Sequence, residues 1–228
     1  MSSTTENNIA KVRARIRSAA QKVHRETKSI TLMAVSKTRS AEMIRTAAGC
    51  GIEHIGENYL QEALDKQTKL QDLELCWHFI GPIQSNKTRA IAEHFDWVHS
   101  VDRLKIAKRL SEQRPSNLPP LNVCLQLNVS DEDSKSGISL DQLPILARQI
   151  SELPQLHLRG LMAIPKACEQ VEQQQAPFHA VQQAFICLQK DHPDIDTLSM
   201  GMSQDMEAAI AEGTTIIRIG TDIFGPRQ

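Results

Sequence analysis

The sequence has no excess of charge of either sign: Lys and Arg together number 26, Asp and Glu 27, for a net charge of −1. Proteins that grip duplex nucleic acid carry a basic excess or a basic stripe, because neutralising phosphates supplies much of their affinity. Neither is present, so nucleic acid is not an expected partner. No apolar run approaches the roughly 18 residues that a membrane span needs. The polar start, Met1–Asn8, lacks the charged-then-apolar plan of a secretory leader. The five cysteines, Cys50, Cys76, Cys124, Cys168 and Cys187, are odd in number and never form a C-x-x-C pair. This argues against a disulfide framework and against a zinc site. The eight histidines show no H-E-x-x-H spacing, and the acidic run Asp131–Asp133 lacks the spacing of a calcium loop. There is no internal repeat, no low-complexity tract and no dividing linker; Pro115–Pro120 is only a short loop. What remains is a reduced protein of the cytoplasm, with no membrane partner. Its 228 residues form one domain, long enough to bury a substantial core.

What is present is a regular alternation. Ile9, Val12, Ile16, Ala19 and Val23 recur at helical spacing and predict an amphipathic opening helix. Eight short β-prone runs follow, at Ile30–Val35, Ile52–Gly56, Cys76–Ile80, Trp97–His99, Leu121–Val129, Leu158–Ile164, Thr197–Ser199 and Ile216–Ile219. The stretches between them read as helices; Phe178, Val181, Phe185 and Leu188 share one face. Alternation of this kind predicts a parallel sheet with crossover helices. Eight strands close a (β/α)8 barrel of the TIM type, and the length suits that α/β fold. An open doubly wound sheet is the alternative.

In such a barrel the chemistry sits at the C-terminal ends of the strands. Those ends carry Ser36-Lys37, Glu57-Asn58, Gly81, Asn128, the run Ser199-Met200-Gly201-Met202-Ser203, and Arg218 followed by Gly220-Thr221. Gly-rich turns with hydroxyls offer backbone N–H groups to an anion, and phosphate sites in these barrels often follow strands seven and eight. Ser203 would cap the helical stretch Asp205–Ala211. Lys37, close to apolar Met33 and Val35, would be a destabilised ammonium able to act as a nucleophile. A phosphate grip, a nucleophilic lysine and an arginine for a pyridine nitrogen together fit an aldehyde cofactor with a phosphate tail. Plainer readings stand beside this one. Lys37 can be a solvated charge and the glycines mere turn formers. Arg218 can pair with a structural carboxylate. The barrel can also take some other phosphorylated metabolite.

Two motifs mislead. Gly81 through Thr88 mimics a phosphate loop, but Asn86 replaces its second glycine and Pro82 removes a donor. Gly49-Cys50-Gly51 reads as a helix end rather than a dinucleotide fingerprint. His78 and His99 fall on strands and read as satisfied core or rim histidines.

At the strand ends the sequence becomes familiar. The stretches Ala34-Val35-Ser36-Lys37-Thr38, Gly56-Glu57-Asn58-Tyr59-Leu60-Gln61-Glu62 and Trp77-His78-Phe79-Ile80-Gly81-Pro82-Ile83-Gln84-Ser85-Asn86-Lys87 carry a resemblance. So do Ser134-Lys135-Ser136-Gly137, Arg159-Gly160-Leu161-Met162-Ala163-Ile164, Leu198-Ser199-Met200-Gly201-Met202-Ser203 and Arg218-Ile219-Gly220-Thr221. Together they closely resemble the pyridoxal phosphate homeostasis protein family, built like the barrel domain of alanine racemase. The resemblance covers almost the whole chain. It implies that Lys37 forms an internal aldimine with pyridoxal 5′-phosphate and that Asn58 lies beside its ring. It also implies that Ser199, Ser203, Gly220 and Thr221 hold the phosphate, and that Arg218 faces the pyridine nitrogen. The implied role is cofactor carriage rather than catalysis, with apo pyridoxal phosphate enzymes as receivers and a monomeric state. Asp222 stands where a small apolar residue is expected, and is expected to point outward. Lys87 and Lys135 are candidate amines for cofactor transfer, against a plain reading as surface charges.

A low-activity amino-acid racemase is the alternative. Arginine donates to a pyridine nitrogen without giving up its proton, which leaves a neutral ring, a weak electron sink that is compatible with racemisation and unfavourable for chemistry needing a strong quinonoid intermediate. Racemisation resembling that of the alanine racemases also needs a second base, there a tyrosine on a further C-terminal domain. This chain ends at Gln228 soon after its eighth strand, and its one tyrosine, Tyr59, reads as a packing residue.

Overall fold

A computed structural model describes residues 4–129, 136–166 and 171–226. Asp131–Asp133, Lys135 and Cys168 lie outside the described residues. The opening helix α1 (Thr4–Lys22) buries Ile9, Val12, Ile16 and Ala19, the face its periodicity predicts. Eight strands follow: β1 (Thr31–Val35), β2 (His54–Glu57), β3 (Cys76–Phe79), β4 (Trp97–Val101), β5 (Leu121–Leu127), β6 (Leu156–Ala163), β7 (Thr197–Ser199) and β8 (Ile216–Ile219). Between and after them run α2 (Ala41–Gly49), α3 (Leu60–Lys69), α4 (Thr88–His94), α5 (Leu104–Gln113), α6 (Leu143–Ser151), α7 (Val171–Gln189), α8 (Met206–Ala211) and α9 (Thr221–Phe224).

Every neighbouring pair of strands is parallel, and β8 returns to β1 with Thr31 opposite Ile216. That pairing closes the barrel and excludes the open sheet. Outward-facing strand residues such as Ile55, Val98 and Ile217 are fully buried beneath the helices. Phe178, Val181, Phe185 and Leu188 of α7 supply part of that cover. Burial on both faces explains why the strands read as apolar runs rather than alternating ones. All eight predicted strands are present, with shifted ends. β2 begins at His54 rather than Ile52, β4 runs on to Val101, β5 stops at Leu127 and β6 starts at Leu156. Gly51 ends α2 at φ +75°, donating to the Ala48 carbonyl, so Gly49-Cys50-Gly51 is a helix terminus as read. In the false phosphate loop, Thr88 Oγ1 lies 2.7 Å from Gln113 Oε1 and 3.0 Å from the Ser85 carbonyl, its one proton shared between them in a structural turn.

One glycine is required by the barrel itself. Gly160 sits at φ +152° where β6 pairs with β7, and a Cβ there would lie 1.9 Å from the Thr197 carbonyl oxygen. We expect Gly160→Ala to lower unfolding stability by at least ~2 kcal/mol in urea titrations, through strained backbone and overpacking. Gly49→Ala, which meets nothing within 4 Å, is expected to stay within about 1 kcal/mol of the parent.

Candidate functional site

The strand ends converge on a cavity of about 370 Å³ at the C-terminal mouth of the barrel. Lys37, Asn58, Ser203, Arg218, Gly220 and Thr221 all line it, with apolar Val35, Ile80 and Phe178. Six of the seven residues expected at the site are therefore together. The seventh, Ser199, does not line the cavity. It is fully buried below, where its Oγ is engaged by Arg218 at 2.8 Å and by His99 Nδ1 at 2.8 Å. Its hydroxyl serves the arginine rather than facing the ligand space.

A buried network holds the turn that carries Lys37. Lys66 of α3 places Nζ 2.6 Å from Glu57 Oε1 and 2.8 Å from the Ser36 carbonyl, and Ser36 Oγ donates to the same Glu57 oxygen. Thr38 adopts φ +63°, an unusual state for a β-branched residue. Its N–H donates to Glu62 Oε2 at 2.9 Å. The strained residue after Lys37 is thus pinned from α3, the pattern expected where geometry is imposed for a purpose. Burial raises the Glu57 carboxyl above its usual range, against the bonds from Lys66 and Ser36 that lower it.

Arg218 is the charge of the site, at 4% exposure. NH1 donates to the Ser199 carbonyl and hydroxyl, and NH2 to the Ala163 carbonyl at 2.9 Å. A structural carboxylate partner, the plain sequence reading, is not among these acceptors; Asp205 acts on Arg218 only through its charge. Desolvation lowers the guanidinium to about 10, so it stays protonated at neutral pH. Among the described residues three of its five N–H donors are engaged, which leaves two. Asn58 Oδ1 is a second demand on a ligand: it is buried and has no partner among the described residues. Gly81 sets that side chain's place, since a Cβ at Gly81 would lie 2.2 Å from the Asn58 carbonyl oxygen.

Near Arg218 lie two turns. Among the described residues, the backbone N–H groups of Ser203, Gln204, Thr221 and Asp222 find no acceptor. Four such donors suit an anion. The N-cap of α8 is Asp205, not Ser203 as predicted. Asp205 Oδ1 accepts the Met202 N–H at 2.6 Å, while the Ser203 carbonyl accepts from Arg15 of α1. Arg15 also pairs with Asp222 at 2.7 Å. Asp222 thus stands at the cavity rim with its carboxylate held by α1. Sequence patterns gave no hint of Arg15, of the Lys66 network or of Asp205. Arg15 acts across elements far apart in the chain.

The donor set fits a phosphorylated, ring-nitrogen-bearing aldehyde. The turns suit phosphate, Arg218 a ring nitrogen, Asn58 Oδ1 a hydroxyl donor and Lys37 a carbonyl carbon. Fold and mouth together define a small-molecule-binding β/α barrel. The family model described as alanine racemase, N-terminal domain, matches residues 8–228. The chain is 60% identical over 226 residues to the pyridoxal phosphate homeostasis protein of Pseudomonas aeruginosa, covering 99% of this chain and 97% of that one. It is 54% identical to the protein of the same name from Escherichia coli, covering 97% and 96%. The solved structure of PipY from Synechococcus elongatus with PLP bound superposes with a TM-score of 0.87 at 37% identity, over 97% of this chain and 100% of that one. Alanine racemase from Corynebacterium glutamicum shares the fold, with a TM-score of 0.71 at 15% identity over 96% of this chain and 60% of that one. The chain belongs to the alanine racemase N-terminal domain family and, within it, to the pyridoxal phosphate homeostasis proteins.

Lys66→Met would leave Glu57 buried with only Ser36 as partner. A broken buried pair costs about 3–5 kcal/mol, and urea titration is expected to show that loss near pH 7. The variant's Glu57 carboxyl rises further, so folding favours its protonated form. The deficit should therefore be smallest in acid and grow as pH rises past the unfolded carboxyl's range.

Proposed function

We propose that the cavity holds pyridoxal 5′-phosphate with Lys37 as its covalent anchor through a Schiff base, and that the protein carries and releases the cofactor in the cytoplasm rather than catalysing a reaction. The observation that carries this reading is Arg218: a buried cation with no carboxylate among its bonding partners in the described residues, lining the same cavity as a lysine. When bound, the cofactor would supply an electrophilic aldehyde. The chain's own groups would do the rest. Lys37 supplies the amine, and the Lys66–Glu57–Ser36 network keeps its turn in place. Arg218 donates to the ring nitrogen without surrendering its proton, Asn58 Oδ1 accepts from the ring hydroxyl, and the Ser203 and Gly220-Thr221 turns hold phosphate. The relatives named pyridoxal phosphate homeostasis proteins, and the PipY structure with PLP bound, support the cofactor.

Carriage rather than racemisation is supported by the position of the tyrosine. Tyr59, the sequence's one tyrosine, is 53% exposed and does not line the cavity. In this reading the carrier is a monomer that hands its cofactor to apo pyridoxal phosphate enzymes. Ile164 and Met202, exposed apolar residues of the cavity lining, would meet such a receiver. Lys87, exposed at the start of α4, does not line the cavity and is read as a surface charge.

An absorption spectrum of the protein mixed with pyridoxal phosphate is expected to show a visible band. Borohydride should fix that band covalently on the peptide containing Lys37, and Lys37→Ala should lack it. A colourless parent, or label on another lysine, would overturn the assignment. Unchanged optical rotation of an added amino acid supports the carrier; its loss favours the racemase.

A further inference from the structure

The barrel core holds four polar residues that the cofactor pocket does not use directly. His54 Nδ1 lies 2.9 Å from His78 Nε2, and His78 Nδ1 lies 2.9 Å from His99 Nε2. His99 Nδ1 lies 2.8 Å from Ser199 Oγ, which lies 2.8 Å from Arg218 NH1. The contacts cross the barrel from the first residue of β2 to the last strand. We propose that Ser199, His99, His78 and His54 form a positioning chain of fixed proton order, which starts at Arg218 beneath the cavity and ends at the opposite mouth of the barrel.

The order follows from donor chemistry. A guanidinium only donates, so Ser199 Oγ accepts from Arg218; among the described residues the hydroxyl meets no acceptor but His99 Nδ1, to which it gives its own proton. His99 then carries its proton on Nε2 and donates to His78 Nδ1. His78 in turn carries its proton on Nε2 and donates to His54 Nδ1. Reversing any one link sets two N–H groups or two lone pairs face to face. All three imidazoles are therefore neutral Nε2–H tautomers. The groups around them agree. Burial, with Arg218 and His54 nearby, lowers His99 to about 3, and burial, with His99 and His54, lowers His78 well below its ordinary value. His54 is lowered by burial, against the charges of Glu53 and Asp96. Cys76 brings its sulfur within 4.8 Å of the His54 and His78 nitrogens, a trio of potential metal ligands. In this order His78 Nε2 holds a proton and His54 Nδ1 accepts it, so the two nitrogens serve each other. The chain fixes NH1 of Arg218 and leaves its remaining donors aimed by a rigid core; that they meet a pyridine nitrogen rests on the function proposed above.

Long-range proton–nitrogen correlation spectra of the cofactor-free, nitrogen-15-labelled protein read the tautomers directly, with rings assigned by single histidine variants. The expected result is three rings with pyrrole-type Nε2 and pyridine-type Nδ1, unchanged from pH 5.5 to 8. A ring protonated on Nδ1, or one that titrates in that range, overturns the chain. Ser199→Ala cuts the link to Arg218, so His99 and His78 should then populate both tautomers, and Ser199→Thr should restore one. Unmixed tautomers in Ser199→Ala would show that Arg218 does not set the order, which also overturns it. Loss of that bond to a charged donor should weaken pyridoxal phosphate binding about tenfold or more in Ser199→Ala. A protein with the expected tautomers that fails to take up pyridoxal phosphate would sink the cofactor reading and leave the chain standing. Cofactor uptake with mixed tautomers in the parent would do the reverse.

Discussion

A guanidinium inside a barrel core must find acceptors, and among the described residues Arg218 finds two carbonyls and one hydroxyl. Removing a charge from water costs several kcal/mol unless it is well satisfied. A protein selected for stability alone would more readily place an aliphatic side chain there. The charge is kept, its proton survives at neutral pH, and the residue lines the cavity. The surrounding architecture answers this one constraint. Ser199 and the histidines below it hold the guanidinium from beneath, and the turns after β7 and β8 hold their N–H groups beside it.

The lysine side of the mouth is built on the opposite principle. There the charge is paired, Lys66 with Glu57, as Arg15 is with Asp222 beside the turns after β7 and β8. These pairs fix backbone rather than face ligand. The Lys66 network pins the turn from Ser36 to Thr38 and so determines where Lys37 can reach. Arg15, from the first helix, ties the Ser203 turn to Asp222. The helix that opens the sequence thereby steadies the turns formed near its end. The barrel's closure makes this possible, because β8 pairs with β1 and brings the two ends of the chain side by side.

Much of this was legible from the residues. Apolar runs bounded by turns gave all eight strands, because both faces of each strand are covered. Lys37, Asn58, Ser203, Arg218, Gly220 and Thr221 could be read as one mouth, because a parallel barrel sends every strand end the same way. Ser199 lies below that mouth, since on a three-residue strand one position separates the mouth from the core. The cap of α8 was also off by two residues, since Ser203 and Asp205 both suit that role. The histidine chain and the Lys66 network were invisible, because their members are separated by 9 to 100 residues. No local spacing marks such pairs; the barrel's register creates them.

The account is tested most directly by a crystal structure of the protein grown with pyridoxal phosphate. It predicts continuous density from Lys37 Nζ to the ring, phosphate against the Ser203 and Gly220-Thr221 turns, Asn58 beside the ring, and a free Arg218 donor on the ring nitrogen. A cofactor bound elsewhere, or a ring whose nitrogen faces away from Arg218, would contradict the claim that the buried arginine is what the pocket is built around.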